Sequence, residues 1–303
     1  MRILARLLAA AFAVAFAAAL SQSDDRVAAQ TPAARTPAQR SASSSVPDLQ
    51  GYWQGSGYAT VDEAYDLEKG MPEDERIITG RTAASTTNAN KGVVIDTPDH
   101  KIPYKPWALA LRDRLAYNVY HPTRLEDIDS LTRCYQMGMP RQSFLGGFHI
   151  VQTAQFVFLV HGNGGARTIA LDGRKHLDPK IKLWAGDSIG RWEGNTLIVD
   201  VTNINDSGWY DVAGNFHSDE LHLIEKWTLV NKDLLRYEVL NTDPRVFTRP
   251  WTLRNEYKRV TEEGFEQWEN ACYEGERGVE LMLNAAKKNQ QQAPQESNQA
   301  SPR

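Results

Sequence analysis

From Phe148 to Cys272 the chain repeats one pattern: short runs in which apolar and polar residues alternate, cut by Asn, Asp and Gly. Alternation with a period of two sends successive side chains to opposite faces, so each run reads as a half-buried strand. The clearest pair is Ile189–Trp192 and Thr196–Thr202 around Glu193-Gly194-Asn195. In the second run Leu197, Val199 and Val201 share one face and Thr196, Ile198 and Asp200 the other, the pattern of a hairpin with glycine in its turn. Runs at 148–153 and 156–161 flank Ala154-Gln155, and 167–171 ends on the turn signal Asp172-Gly173. Further runs at 222–229, 234–240, 251–260 and 265–272 follow, with Asn231-Lys232 and Glu262-Glu263-Gly264 at two of the turns. About eight to ten such strands, mostly hairpin-joined, predict a mainly β domain. The expected form is an antiparallel meander closing into a calycin/lipocalin-like barrel or half-barrel. A two-sheet sandwich is the alternative that periodicity leaves open. A small barrel holds either a packed interior or one small ligand.

Upstream, Gly51-Tyr52-Trp53 opens the pattern, and a Gly-x-Trp at the start of a barrel places the indole as a plug in one end. Residues 60–99 are polar and irregular. Pro106 suits a first helical turn, and Leu109, Leu111, Leu115 and Val119 follow at near-helical spacing, predicting one helix near 105–119. Val279, Leu281 and Met282 mark a C-terminal helix near 275–287. Without an internal composition shift or repeat, residues 48–286 read as one domain.

The N-terminus reads as a secretory signal. Arg2 and Arg6 precede an apolar run from Leu7 to Leu20 that is shorter than the ~20 residues of a membrane span. Small residues then offer cleavage after Ser21 or as late as Ala29. Residues 22–47 and the tail 287–303 are rich in Ala, Ser, Pro and Gln and poor in large apolar residues, a composition that cannot offset its own ordering entropy. The expectation is an exported protein, periplasmic or secreted, with a disordered spacer and tail and no membrane span in the mature chain. A formal charge of -4 with no Lys/Arg run in the body argues against nucleic acid and anionic membrane surfaces as partners. In an oxidising compartment Cys134 and Cys272 most simply form a disulfide. A reactive thiol or half a metal site is the alternative, although neither cysteine has a Cys or His nearby at ligand spacing.

Several motifs stand in order: Cys134-Tyr135-Gln136-Met137-Gly138-Met139-Pro140-Arg141, Leu171-Asp172-Gly173-Arg174-Lys175-His176, and the long string from Gly186-Asp187-Ser188 through Gly190-Arg191-Trp192-Glu193-Gly194 to Val199-Asp200. His217-Ser218, Asp243-Pro244, Pro250-Trp251 and Asn270-Ala271-Cys272-Tyr273-Glu274-Gly275 follow. Together they resemble a largely uncharacterised family of secreted bacterial proteins common in soil and water. The resemblance covers nearly all of the mature chain and implies a shared fold and export, but no activity. Tyr273 stands where the family's last motif has His, so a role for that His would not transfer.

Two constellations carry candidate chemistry. In the first, Asp172, Arg174 and His176 follow strand residue Arg167 on one turn. Arg174, or Arg141, would clamp a carboxylate or phenolate, and His176 would move a proton near neutral pH with Asp172 beside it. The structural reading is that Asp172 builds the turn and Arg174 pairs with it. In the second, Trp209, Tyr210 and Asp211 precede His217, Ser218, Glu220 and His222. His217 is the candidate acid/base, and Trp209 with Tyr210, in a loop without strand pattern, is expected at a pocket mouth. Ser218 adjoins His217 and would point to the opposite strand face, and Gly186-Asp187-Ser188-Ile189-Gly190 leads into a hairpin rather than a helix, so serine hydrolysis is disfavoured. His217, Glu220 and His222 would ligate a metal only with a remote His, and Gly162-Asn163-Gly164-Gly165 does not open a helix as a nucleotide loop must.

The expectation is therefore a cofactor-free enzyme of lyase or isomerase type. Its catalytic groups would be His176, His217 and Asp172, and Arg174, Arg141, Trp209 and Tyr210 would bind a small aromatic or carboxylate-bearing molecule. A non-catalytic envelope protein binding such a molecule is the alternative, and a metal-assisted hydrolase the minor one.

Overall fold

The computed structural model describes residues 46–55, 94–144, 147–162, 165–211, 214–267 and 277–292. The signal, the spacer as far as residue 45, and Cys272 lie outside them. Among the described residues nine strands close into one barrel, in sequence order around the wall. They are β1 (Gly51–Gly55), β2 (Gly147–Gln152), β3 (Phe156–His161), β4 (Gly165–Ala170), β5 (Asp187–Glu193), β6 (Thr196–Thr202), β7 (His222–Asn231), β8 (Leu234–Thr242) and β9 (Trp251–Arg259). The barrel is closed by β1 pairing with β9, Trp53 opposite Arg259. A half-barrel or a sandwich is not what forms.

The period of two decides the register. Leu197, Val199 and Val201 of β6 point inward and are buried. Opposite them β7 turns Leu223, Glu225 and Trp227 into the lumen. One contact departs from the meander: β4 and β5 run parallel, meeting at Ala170 and Ile189. A parallel neighbour cannot be reached through a tight turn, so Asp172-Gly173 opens a long return over residues 171–186 rather than a hairpin. The strands meet closely here, since a Cβ on Gly190 would lie 2.7 Å from Ile169 Cγ2. The expected strand at 265–272 is absent over 265–267, and its remainder lies outside the described residues.

One barrel end is sealed by Trp53, as Gly-x-Trp implies. Its Nε1 donates to the Leu49 carbonyl at 2.8 Å, and the Arg259 guanidinium lies 4.1 Å above the ring. Arg259 also donates to the carbonyls of Asp48, Gln50 and Lys232. Gly51 stands at φ +114°, a conformation that calls for glycine, and a Cβ there would also come within 3.1 Å of Arg259 Nη1.

Beyond the other end, the segment that leads into and forms the first helix packs on the loops between strands, Tyr104 bridging Phe247 and Arg112 donating to Asn215 Oδ1 at 3.2 Å. Helix α1 (Pro106–Tyr120) begins with proline in its first turn, matching its expected span. A single-turn helix α2 (Arg141–Phe144) leads into β2, and α3 (Gly278–Gln292) ends at Gln292 rather than near Lys287. No described helix is long and apolar enough to cross a membrane. Trp209 and Tyr210 are not at an exposed mouth. A bridge between Trp209 and Phe216 folds the loop inward, and Tyr210 donates its hydroxyl to Asn241 Oδ1 at 3.1 Å in the core. The polar loop around them supplies the hydrogen bonds that permit such burial, Asn215 O accepting from the Tyr210 amide at 2.7 Å.

Candidate binding site at the barrel mouth

Inside the barrel sits a complete ionic network. Arg167 on β4 and Glu225 on β7 both occupy inward positions among apolar residues, so the period of two carries their charges into the lumen. The guanidinium forks onto the carboxylate, Nη1 to Oε1 at 3.0 Å and Nη2 to Oε2 at 2.8 Å. Ser188 Oγ accepts from Nε at 3.0 Å and from Nη2 at 2.9 Å, and Ser143 Oγ of α2 accepts from Nη1 at 3.2 Å. Glu225 also accepts from the Tyr237 hydroxyl at 2.8 Å and the Trp227 indole at 3.3 Å. Burial, reinforced by the Glu225 charge, holds the Tyr237 phenol well above its usual range, so it remains a donor. A buried ion pair is tolerable when its hydrogen-bonding capacity is filled in this way. Tyr257 donates to the Ser143 carbonyl, which ties α2 to the barrel mouth.

Beside this network two polar groups are not filled. His161 ends β3 facing inward, 4 % exposed, in edge contact with Phe148 at 5.5 Å. Neither ring nitrogen has a hydrogen-bond partner. Burial, and then the Arg167 charge, lower its pKa from 6.5 to about 3, so the ring is neutral at physiological pH and offers one donor and one acceptor. Gln142 of α2 is equally buried, and its Oε1 is also without a partner. Gly165 brings the two together. It pairs across the ladder with His161, and a Cβ on it would lie 2.4 Å from Gln142 Nε2. Unfilled buried polar atoms cost about 1–3 kcal/mol each, so the three of His161 and Gln142 are the groups in the lumen that an added partner would stabilise.

The residues expected from sequence are scattered. Arg174 and Asp172 pair with each other on the surface, Nη2 to Oδ2 at 2.7 Å, and Arg174 stacks on Phe156. Asp172 is therefore not beside His176. The His176 ring lies on the outer wall, Nδ1 2.8 Å from Asp187 Oδ2 and Nε2 3.5 Å from Asp200 Oδ1, which also meets His222 Nε2 at 2.7 Å. Arg141 is buried and pairs through Nη1 with Asp129 at 2.6 Å, its Nε without a partner. His217 is buried under Tyr210, its Nδ1 on the Ser218 carbonyl at 3.0 Å and its Nε2 without a partner. Burial lowers its pKa. Ser218 belongs to Asp243, which accepts from its amide and its hydroxyl, so it is not activated by His217. Sequence reasoning named Arg167 but missed Glu225, His161, Gln142 and Ser143. Glu225 and His161 left a signal, a polar residue on the apolar face of an alternating run.

Among the described residues no group of three or more His, Cys, Asp or Glu is disposed to hold a metal ion. Two hollows lie elsewhere, one of about 220 Å³ beside Lys105, Phe247 and Arg249 and one of about 730 Å³ beside Gln54, Arg254 and Glu256. Compared with family models, curated proteins and solved structures, the chain gives no match.

Proposed function

We propose that the chain is an exported small-molecule-binding protein of the cell envelope, periplasmic or secreted, whose ligand is held at the His161 end of the barrel lumen. The observation that carries this reading is His161 itself, a buried neutral imidazole with both nitrogens unpartnered. Export is supported by the basic residues Arg2 and Arg6 ahead of the apolar run. A Cys134–Cys272 disulfide belongs to the same proposal: no described cysteine is a free thiol, and Cys272 is the other cysteine of the chain. An imidazole whose pKa is about 3 is a poor base at neutral pH, which favours binding over proton transfer at this site. The test is a screen of small aromatics against the mature protein, read by Trp fluorescence and by the His161 imidazole nitrogen shifts. A hit should move the His161 resonances, and His161→Leu should abolish it. Hits that bind the variant equally well would sink the lumen site.

A second reading, a cofactor-free lyase or isomerase, is favoured by one observation: His176 has Asp187 behind its Nδ1 at 2.8 Å, an arrangement that fixes the tautomer and orientation of the ring. A turnover screen comparing wild type with His176→Ala and His217→Ala separates the readings. Product lost only in His176→Ala supports the enzyme, equal product in all three removes the assignment of proton transfer to these histidines, and no product from any of them removes the enzyme reading.

A further inference from the structure

We infer that the lumen ligand presents an uncharged hydrogen-bonding group, a hydroxyl, amide or carbonyl on an aromatic body, and not a carboxylate. This deepens the lumen-binding reading and rests on it. The charges beside the site are already balanced. Arg167 is forked onto Glu225, and the charge of Arg141, next to Gln142 in the chain, is balanced by Asp129, Nη1 to Oδ2 at 2.6 Å, although its Nε has no partner. An anion entering here would find no unpaired positive charge and would lose its hydration without return. Nor does His161 supply that charge, since burial and the neighbouring Arg167 disfavour its protonated form. A cation fares no better, because Glu225 is fully engaged by Arg167, Tyr237 and Trp227.

What the site does offer is neutral: a donor and an acceptor on His161, and an acceptor on Gln142 Oε1. A hydroxyl or primary amide fills two of these three by donating to Gln142 Oε1 and accepting from the imidazole N–H. The adjoining buried side chains are aromatic. Phe148 contacts His161 at 5.5 Å, Trp227 at 5.6 Å and Tyr257 at 4.8 Å, so a planar apolar body continues the ring cluster.

The test uses matched pairs on the mature full chain at neutral pH: benzyl alcohol and benzamide against benzoate, and 2-naphthol against 2-naphthoate, by calorimetry with His161 shifts as the locator. The neutral member of each pair should bind at least about tenfold tighter. Carboxylates binding as tightly or tighter, with His161 shifts, would overturn the neutral class while leaving lumen binding intact. No binding by any member, with His161 unperturbed, would overturn both. Glu225→Gln gives an independent arm. Where the variant folds, it leaves Arg167 uncompensated and the carboxylate should gain on its neutral partner, whereas an unchanged ratio counts against the charge argument. If it does not fold, the wild-type ratios decide.

Discussion

Arg167 meets Glu225 at 2.8 Å inside the barrel, and Arg174 meets Asp172 at 2.7 Å on its outside. The contacts are nearly the same, and the surroundings are opposite. Inside, both partners have lost water and each remaining donor and acceptor is occupied by Ser188, Ser143, Tyr237 or Trp227. Outside, water competes with every bond. The comparison separates a pair that fixes the shape of the lumen from a pair that only finishes a turn, although the outer pair lies in the motif that looks more like chemistry in the sequence.

Removing one inner partner strands the other in a dry site. Glu225→Leu alone should lower the unfolding free energy by about 3–5 kcal/mol, whereas Arg167→Leu with Glu225→Leu should recover much of the loss. Urea unfolding of the two single variants and the double variant forms the cycle. Singles that cost no more than the double would break the claim that compensation, and not mere bulk, holds the interior.

The strands and their faces were legible because period two is a local property: β3 and β6 fall where alternation places them, and β7 and β8 extend theirs by two residues. In β7 the inward set Leu223, Glu225, Trp227 and Leu229 already showed an acid on an apolar face. What was not legible is who meets whom across the lumen. Glu225 and Arg167 are 58 residues apart and belong to non-adjacent strands. The parallel contact of β4 with β5 escaped for the same reason, since Asp172-Gly173 has identical turn chemistry in a hairpin and in a crossover. Trp209 and Tyr210 misled because their loop is polar, and that polarity serves to hydrogen-bond a buried loop.

The next effect is a pH slope that the inner site imposes. His161 titrates near 6.5 when unfolded and near 3 when folded, so in that interval the unfolded chain binds the extra proton. Stability from this group is therefore full above about pH 6.5 and is lost as pH falls, approaching about 1.4 kcal/mol per pH unit. His217, also lowered by burial, adds a slope of the same sign. Urea midpoints between pH 7 and pH 5 lie above most carboxylate titration, so His161→Leu should flatten the profile there. An unchanged slope in the variant would place the titrating group elsewhere.

Arg259 stands between the extremes, paired with an indole and three carbonyls instead of a carboxylate. Arg259→Met keeps the length of the side chain over Trp53 and removes the charge and donors, so a loss of about 1–2 kcal/mol is expected from thermal or urea unfolding. A loss as large as that of Glu225→Leu would mean that the sealed end, not the lumen pair, governs barrel closure.

The smallest effect belongs to the outer pair, and it is the most informative for function. The hydrogen bonds from Arg174 hold the Asp172 carboxyl down at about 2. Its contribution is thus present above the ordinary carboxylate value and is lost only as pH falls through that low one. At neutral pH the exposed pair is screened by water and salt, so Asp172→Asn and Arg174→Ala should leave the urea midpoint unchanged within error. Both should also leave ligand affinity at His161 unchanged, because neither group reaches the lumen. If Arg174→Ala instead removed binding or turnover while stability held, the Asp-Gly-Arg turn would be the working surface. The buried fork would then be only the frame that holds it, reversing the roles that burial assigns to the two pairs.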